Sequence, residues 1–114
     1  MKNIYPAKRN QIIEKLIRND ARIIKLLKEK YNYTCQYPGC STRIPKKNGG
    51  FYIEVAHIKP VSQNGQSIIG NLIALCPNHH KLFDYGNLVI TEQTEKIVKG
   101  SLNNEAFEIK FSLF

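Results

Sequence analysis

All three histidines of this chain and one of its three cysteines lie in a single stretch, residues 54–85. The stretch reads EVAHIKPVSQNGQSIIGNLIALCPNHHKLFDY. Imidazole and thiolate groups bind transition metals, and imidazole also transfers protons near neutral pH. Their concentration in one stretch predicts a metal centre and a catalytic histidine, and the other elements of the chain are expected to position them.

Two pairs of residues have the spacing of zinc ligands: Cys35-x4-Cys40 and Cys76-x2-His79. Zinc prefers four nitrogen or sulfur ligands in a tetrahedron, and short spacings let two side chains from one turn reach one ion. The pairs therefore predict a closed structural Zn²⁺ site that ties an upstream turn to the start of a later helix. The alternative is three small buried cysteines beside an unrelated histidine.

The two adjacent histidines are expected to face different sites. Neighbouring residues on a helix point about 100° apart, so His79 and His80 are poor candidates for one ion. If His79 completes the zinc site, His80 faces elsewhere, which indicates a second centre. His57 ends a predicted strand and can take a proton from water, and the amide of Asn71 can orient it or bind a metal through oxygen. Taken singly, His57 and Asn71 are as readily structural residues.

Hydrophobic periodicity and turn residues predict the elements that position these side chains. Gly86 is expected to end the last helix, which Pro77 begins. The predicted elements are, in chain order, one kinked or two short helices with apolar stripes at 10–30, interrupted at Asn19-Asp20, an extended piece and a Pro38-Gly39 turn at 31–40, a loop at 41–50, a strand at 51–58, a loop at 59–70, a strand at 72–75, a helix at 77–85, and two or three strands at 87–114. In the last of these strands, one face is expected to carry Phe107, Ile109, Phe111 and Leu113.

Composition limits the class of protein and its partners. A chain of 114 residues with 42% hydrophobic content predicts one domain with a modest core. Seventeen Lys and Arg against nine Asp and Glu give a net charge of +8, which indicates a polyanionic partner, with nucleic acid as the first candidate; the equal alternative is a soluble basic protein without such a partner. No signal peptide or membrane span is evident. Three cysteines fit a disulfide framework poorly and predict a cytoplasmic protein.

The segments AHIKP and NLIALCPNHHKLFD, with the spacing of His57, Asn71 and His80, resemble the HNH nuclease family. The four-residue gap of the first cysteine pair and the segment LFDYG are most similar to McrA-like prokaryotic restriction nucleases. The resemblance covers roughly residues 31–90. Members usually have a cysteine where this chain has His79, and many have an Asp or His metal ligand where this chain has Ala56.

The resemblance implies an α+β protein built on a small ββα-metal (HNH, His-Me finger) domain, stapled by one structural zinc. It implies that His57 is the general base and that His80 binds a catalytic ion, Mg²⁺ or another divalent ion such as Mn²⁺ or Ni²⁺. Asn71 would orient His57 or complete the metal shell. The chain would be a single HNH nuclease domain over residues 1–114. Its parts would be basic N-terminal helices at 1–30, a zinc knuckle with the ββα-metal core at 31–86, and a C-terminal β extension at 87–114.

The ligand missing at Ala56 has two candidate replacements. Glu54 lies two residues back on the same strand face, and Asp84 lies four residues after His80 on the same helix face. Either carboxylate is predicted to supply an oxygen to the catalytic ion. The alternative is that both are surface or capping carboxylates.

The predicted function is hydrolysis of double-stranded DNA to 5′-phosphate and 3′-hydroxyl ends, in prokaryotic restriction, defence or DNA processing. The alternatives are a non-catalytic zinc-stabilised DNA-binding module and an RNA-directed nuclease or toxin. A homodimer or a separate specificity subunit is expected to supply recognition, as HNH modules are often joined to other domains. Phosphate contacts are expected from five basic residues near the site: Arg43, Lys46, Lys47, Lys59 and Lys81.

Overall fold

The computed structural model describes residues 21–111 of the chain. Residues 21–30 are helical and form α1. The helix predicted for residues 10–30 is thus confirmed over this part, while the predicted break at Asn19-Asp20 lies outside the described residues. Leu27 of α1 is buried and Leu26 is 55% exposed, so the apolar stripe predicted for this helix is only partly buried.

The rest of the described chain contains seven strands, one 3-10 turn and one further helix. The strands form three antiparallel sheets, β1-β2, β3-β4 and β5-β6-β7. This mixture of helix and strand confirms the predicted α+β class. The elements are β1 (Ile44–Pro45), β2 (Phe51–Tyr52), β3 (Glu54–His57), the 3-10 turn η1 (Val61–Gln63), β4 (Leu72–Leu75), α2 (Pro77–Tyr85), β5 (Leu88–Gln93), β6 (Ile97–Leu102) and β7 (Glu105–Lys110).

The hairpin of β3 and β4 is the platform of the site. Its register runs from Glu54 opposite Leu75 to His57 opposite Leu72. All four residues of β4 are fully buried, because α2 packs over the hairpin and the other face meets the core. The strand predicted over 51–58 is wrong in one respect, since it is divided at the buried residue Ile53. Its first part pairs with β1, which falls in the predicted loop 41–50, and its second part pairs with β4.

The bounds of α2 agree with the sequence prediction. Cys76 is the N-cap, and its sulfur accepts a hydrogen bond from the backbone N–H of His79. Pro77 occupies the first helical turn, where its missing N–H costs nothing. The helix ends at Gly86, whose N–H donates to the carbonyl of Leu82 at 2.8 Å.

The C-terminal residues form three strands, as predicted. Alternation along β7 places Phe107 and Ile109 in the core, and Phe111 follows them on the same face. Leu113 lies outside the described residues. Phe83 of α2 lies 5.8 Å from Phe107, ring centroid to ring centroid, so the C-terminal sheet shares one core with the site helix.

No helix within residues 21–111 is long and apolar enough to cross a membrane.

Gln36 closes the second edge of β4 and provides a test of this packing. Its backbone N–H donates to the carbonyl of Ala74, and its side-chain Oε1 accepts from the Ala74 N–H at 2.7 Å. Because Ala74 is fully buried, Gln36→Ala leaves an unsatisfied donor. We expect the free energy of unfolding to fall by about 1–3 kcal/mol, measured by urea titration. Gln63→Ala, at an exposed residue of η1, is the control, and equal midpoints for the two variants would contradict the assignment.

Candidate metal and catalytic site

The turn that carries the first cysteine pair is built by Pro38 and Gly39. The N–H of Cys40 donates to the carbonyl of Tyr37 at 2.9 Å, and Gly39 has φ +82°. Proline at the second position and a positive-φ glycine at the third are what a type II turn requires. The turn folds Cys40 back toward Cys35, so both sulfurs face the start of α2.

The structure brings the four predicted zinc ligands together. Their donor atoms, Sγ of Cys35, Cys40 and Cys76 and one ring nitrogen of His79, all lie within 4.8 Å of one another. Nδ1 of His79 lies 3.3 Å from Sγ of Cys76 and 3.6 Å from Sγ of Cys35. Tetrahedral ligands at about 2.0–2.3 Å from an ion are separated by roughly 3.3–3.8 Å. The cluster can therefore hold a metal ion such as zinc.

The surroundings of the cluster suit a bound cation. Burial raises the pKa of the Cys35 thiol to about 12, so a thiolate here needs a positive charge beside it. Burial also lowers the pKa of His79, which keeps its imidazole neutral, the form that binds metals. The ring of His79 stacks on Tyr37 at 4.4 Å between centroids, which fixes its orientation.

His80, the next residue of α2, faces a different group. Its Nδ1 lies 2.7 Å from Oε1 of Glu54 on β3, and its Nε2 lies 3.7 Å from Oδ2 of Asp84 one turn along α2. The hydroxyl of Tyr52 donates to the other Glu54 oxygen at 2.6 Å. The bond from Tyr52, with a smaller contribution from His80, holds the pKa of the Glu54 carboxyl below its usual range.

The two carboxylates differ in what they can do. Both oxygens of Glu54 already have partners, so Glu54 can hold the His80 ring as an outer carboxylate, the usual partner of a metal-bound histidine. Asp84 is half exposed. The distance of 3.7 Å between its Oδ2 and His80 Nε2 is close to the roughly 3.0–3.6 Å that separates two ligands of one ion. Ala56, where many family members have a ligand, is buried in the core.

His57 contacts a residue of the following loop. Its Nε2 lies 2.8 Å from the hydroxyl oxygen of Ser67. The structure gives Nδ1 no hydrogen-bond partner among residues 21–111. The ring is half-buried at the end of β3.

The Asn71 side chain makes four hydrogen bonds within residues 21–111, none of them to His57. Its Oδ1 accepts from the backbone N–H of Lys59 at 2.7 Å and from Nε2 of Gln93 at 2.9 Å. Its Nδ2 donates to the carbonyls of Lys59 at 3.1 Å and Gln66 at 2.8 Å. The side chain is buried, and it ties together the two ends of the loop that carries Ser67.

Three residues of the site, Tyr52, Ser67 and Gln93, are not predicted from the sequence. Tyr52 shares its face with Glu54 by simple alternation, which is a usable signal. Ser67 lies in an aperiodic polar loop, and Gln93 reaches the site only through the pairing of β5, so neither leaves a signal in the sequence.

The five basic residues predicted to contact phosphate are all exposed and lie on three parts of the fold. The guanidinium of Arg43 lies 3.7 Å above the Phe51 ring, which holds it against β2. The ammonium of Lys81 lies 5.7 Å from the centroid of Tyr85 on α2. Lys46 and Lys47 occupy the loop between β1 and β2, and Lys59 opens the loop after β3.

Comparisons with known proteins agree with this geometry. A family model described as HNH endonuclease matches residues 35–91, half of the chain. The type IV methyl-directed restriction enzyme EcoKMcrA of Escherichia coli K12 is 27% identical over 73 residues, which cover 64% of this chain and 26% of that protein. The structure of a modification-dependent restriction endonuclease, TagI, aligns with a TM-score of 0.61 and 32% identity, over 81% of this chain and 31% of that one.

This chain spans a third or less of the length of both relatives. The family match includes both ligand pairs, His57, Asn71 and His80. The chain therefore belongs to the HNH endonuclease family and is related to the McrA-like restriction nucleases.

Proposed function

We propose that this protein is a metal-dependent DNA endonuclease whose ββα-metal core is formed by β3, β4 and α2. The observation that carries the proposal is the setting of His80. One of its nitrogens is held by Glu54 and the other faces Asp84, beside a hairpin that ends in His57. The two relatives are a methyl-directed and a modification-dependent restriction enzyme, which favours a role in restriction or defence.

His57 is the general base of the proposed reaction. We assign the contact of its Nε2 with the Ser67 hydroxyl, 2.8 Å long, as donation from Nε2–H, the tautomer in which Nδ1 carries the lone pair. Nδ1 then accepts the proton of the attacking water. A correctly positioned general base raises the rate of such a reaction by about 10²–10⁴-fold.

His80 and Asp84 are the proposed ligands of the catalytic ion, Mg²⁺, Mn²⁺ or Ni²⁺. Bound there, the ion would supply Lewis-acid stabilisation of the phosphate and of the leaving 3′ oxygen. Glu54 keeps the His80 ring turned so that Nε2 faces Asp84, and Tyr52 holds Glu54 in place. In this assignment Asp84 is the ligand that replaces the one many family members carry at the position of Ala56. Glu54 does not bind the ion and instead orients His80.

The ion at Cys35, Cys40, Cys76 and His79 is proposed to be a structural Zn²⁺, since three thiolates and an imidazole form a closed, soft ligand set. Recognition of particular sequences or modified bases is proposed to lie outside this chain, in a second copy or a separate subunit, because the matched regions cover only 26% and 31% of the two relatives.

Cleavage of supercoiled plasmid tests the proposed reaction. With Mg²⁺, Mn²⁺ or Ni²⁺ the wild type is expected to nick the plasmid, and His57→Ala should do so about 10²-fold or more slowly while binding DNA equally well. Ser62→Ala, in the exposed η1 turn of the same loop, is the control. If wild type and His57→Ala behave alike, the protein is better described as a zinc-stabilised DNA-binding module.

Metal content tests the structural site. The purified protein is expected to contain about one zinc per chain that survives mild chelation. Cys40→Ser should lose that zinc and destabilise the fold by about 4–5 kcal/mol, the upper range for a single substitution, while Thr42→Ser, two residues on, should not. Metal-free wild type with an unchanged melting temperature would refute the zinc assignment.

Salt dependence of DNA binding tests the basic segment of residues 43–47, which spans β1 and the start of the β1–β2 loop. Replacing Arg43, Lys46 and Lys47 by glutamine should weaken binding to all sequences alike. It should also flatten the plot of log K against log salt by roughly 0.9 for each phosphate that these side chains no longer neutralise. Binding is measured on the His57→Ala background so that the DNA stays intact.

The matched control replaces Lys96, Lys99 and Lys110 by glutamine. These lysines lie on the C-terminal sheet or in its β5–β6 turn, and this variant has the same net charge as the first triple variant. It is expected to leave the slope close to that of the parent. Equal slopes of log K against log salt for the two triple variants would count against residues 43–47 as the DNA-binding segment.

A further inference from the structure

Gln93, which lies beyond the residues matched by the family model, reaches into the loop that supports His57. Its Nε2 donates to the carbonyl of Gly70 at 2.8 Å and to Oδ1 of Asn71 at 2.9 Å. Gln93 is the last residue of β5. Through this side chain the C-terminal sheet contacts the loop that supports His57.

A β-bulge is what turns Gln93 toward the site. Ile90 pairs with Gly100, but the next partner of β6, Lys99, pairs with Glu92, so Thr91 is an extra residue on β5. An extra residue reverses the alternation of the residues that follow it. Gln93 consequently pairs with the fully buried Val98 and shares its inward face. Without the bulge its side chain would point to the solvent face.

The loop also approaches the end of β5 through its backbone. Gly70 has φ +94°, and a Cβ at this position would lie 2.6 Å from the carbonyl oxygen of Thr94. Thr94 approaches the loop at Gly70, and the Gln93 side chain bonds to Gly70 and to its neighbour Asn71. The close approach therefore leaves little freedom for the loop to shift while the Gln93 bonds are intact.

The bonds of Asn71 connect Gln93 to His57. Lys59 and Asn71 stand at the two ends of the loop, and the Asn71 side chain joins them. The same side chain holds Gln66, whose neighbour Ser67 contacts the His57 ring. Asn71 is buried, so the second acceptor site of Oδ1 would go unsatisfied without Gln93.

We propose that Gln93 is a positioning residue for catalysis, which acts through Asn71 to hold the Ser67 loop and thus the His57 ring. The C-terminal sheet is then a working part of the nuclease. The inference rests on the proposed function for its catalytic consequence, but the structural tie itself can be measured without activity. Gln93 is exposed and its two amide hydrogen bonds are partly buried, so it can be replaced without opening the core.

The test compares Gln93→Leu, Gln93→Glu and Gln93→Lys with the wild-type protein. Leucine removes the donors, and glutamate places a carboxylate against two acceptor oxygens. Both variants should therefore lose the tie to Asn71 and cleave DNA more slowly. Lysine keeps an N–H donor and should recover part of the effect. Glu92→Gln, on the outward face beside it, is the matched control because its side chain pairs only with Lys99.

Two readouts are needed. Amide hydrogen exchange across residues 59–71 should become about tenfold faster in Gln93→Leu, as expected when two hydrogen bonds are removed, with unchanged zinc content. In plasmid cleavage, kcat should fall by about tenfold while KM stays within about twofold, because the DNA-contacting residues are untouched. Gln93→Lys should restore part of kcat, and Glu92→Gln should match the wild type in both.

The outcomes separate the two claims. Faster exchange with unchanged kcat would show a purely structural contact and overturn the positioning role, as would unchanged exchange in Gln93→Leu. Wild-type protein that does not cleave DNA would overturn the proposed function, and the catalytic role of Gln93 with it. If the wild type cleaves DNA and His57→Ala cleaves it equally fast, the assignment of His57 as the general base is overturned.

Discussion

The start of α2 is the constraint on which the rest of the site depends. Cys76 is both the N-cap of the helix and one of the clustered sulfurs, so the same atom fixes where the helix begins and which way it is rotated. With His79 turned to the sulfurs, the geometry of a helix turns His80 about 100° away, and the residue it meets is Glu54. A single helix start thereby orients two candidate metal-binding groups that have different chemistry.

The hairpin below α2 supplies the other half of the site under a second constraint. β4 is completely buried, with β3 on one edge and Gln36 on the other. The connection between β3 and β4 is long and polar, and polar loops of this kind are mobile unless their backbone is held. Asn71 holds it with four hydrogen bonds, which makes a buried amide, rather than apolar packing, the organiser of the loop beside His57.

Much of this arrangement can be predicted from the sequence because it depends on local rules. Cysteine and histidine spacing identifies the four clustered ligands, and Cys76, Pro77 and Gly86 mark the ends of α2. Alternation identifies the core face of β7. These features need only the chemistry of neighbouring residues, so a single sequence suffices to predict them.

The rest depends on pairings that a sequence does not display. The division of the predicted strand at Ile53 follows from its two parts having different partner strands. The inward turn of Gln93 follows from a bulge opposite Lys99, and the partner of His57 comes from an aperiodic loop. For Glu54 and Asp84 the sequence leaves two equivalent candidates, and only the distances to the two nitrogens of His80 distinguish them.

The central claim is that the start of α2 carries two separate metal sites. Anomalous diffraction from a crystal soaked in Mn²⁺, recorded at the zinc and manganese absorption edges, tests it most directly. We expect a zinc peak among the three sulfurs and His79, and a manganese peak bound by His80 and Asp84 with Glu54 still on the other face of the imidazole. No manganese at His80, or no zinc among the three sulfurs and His79, would contradict it.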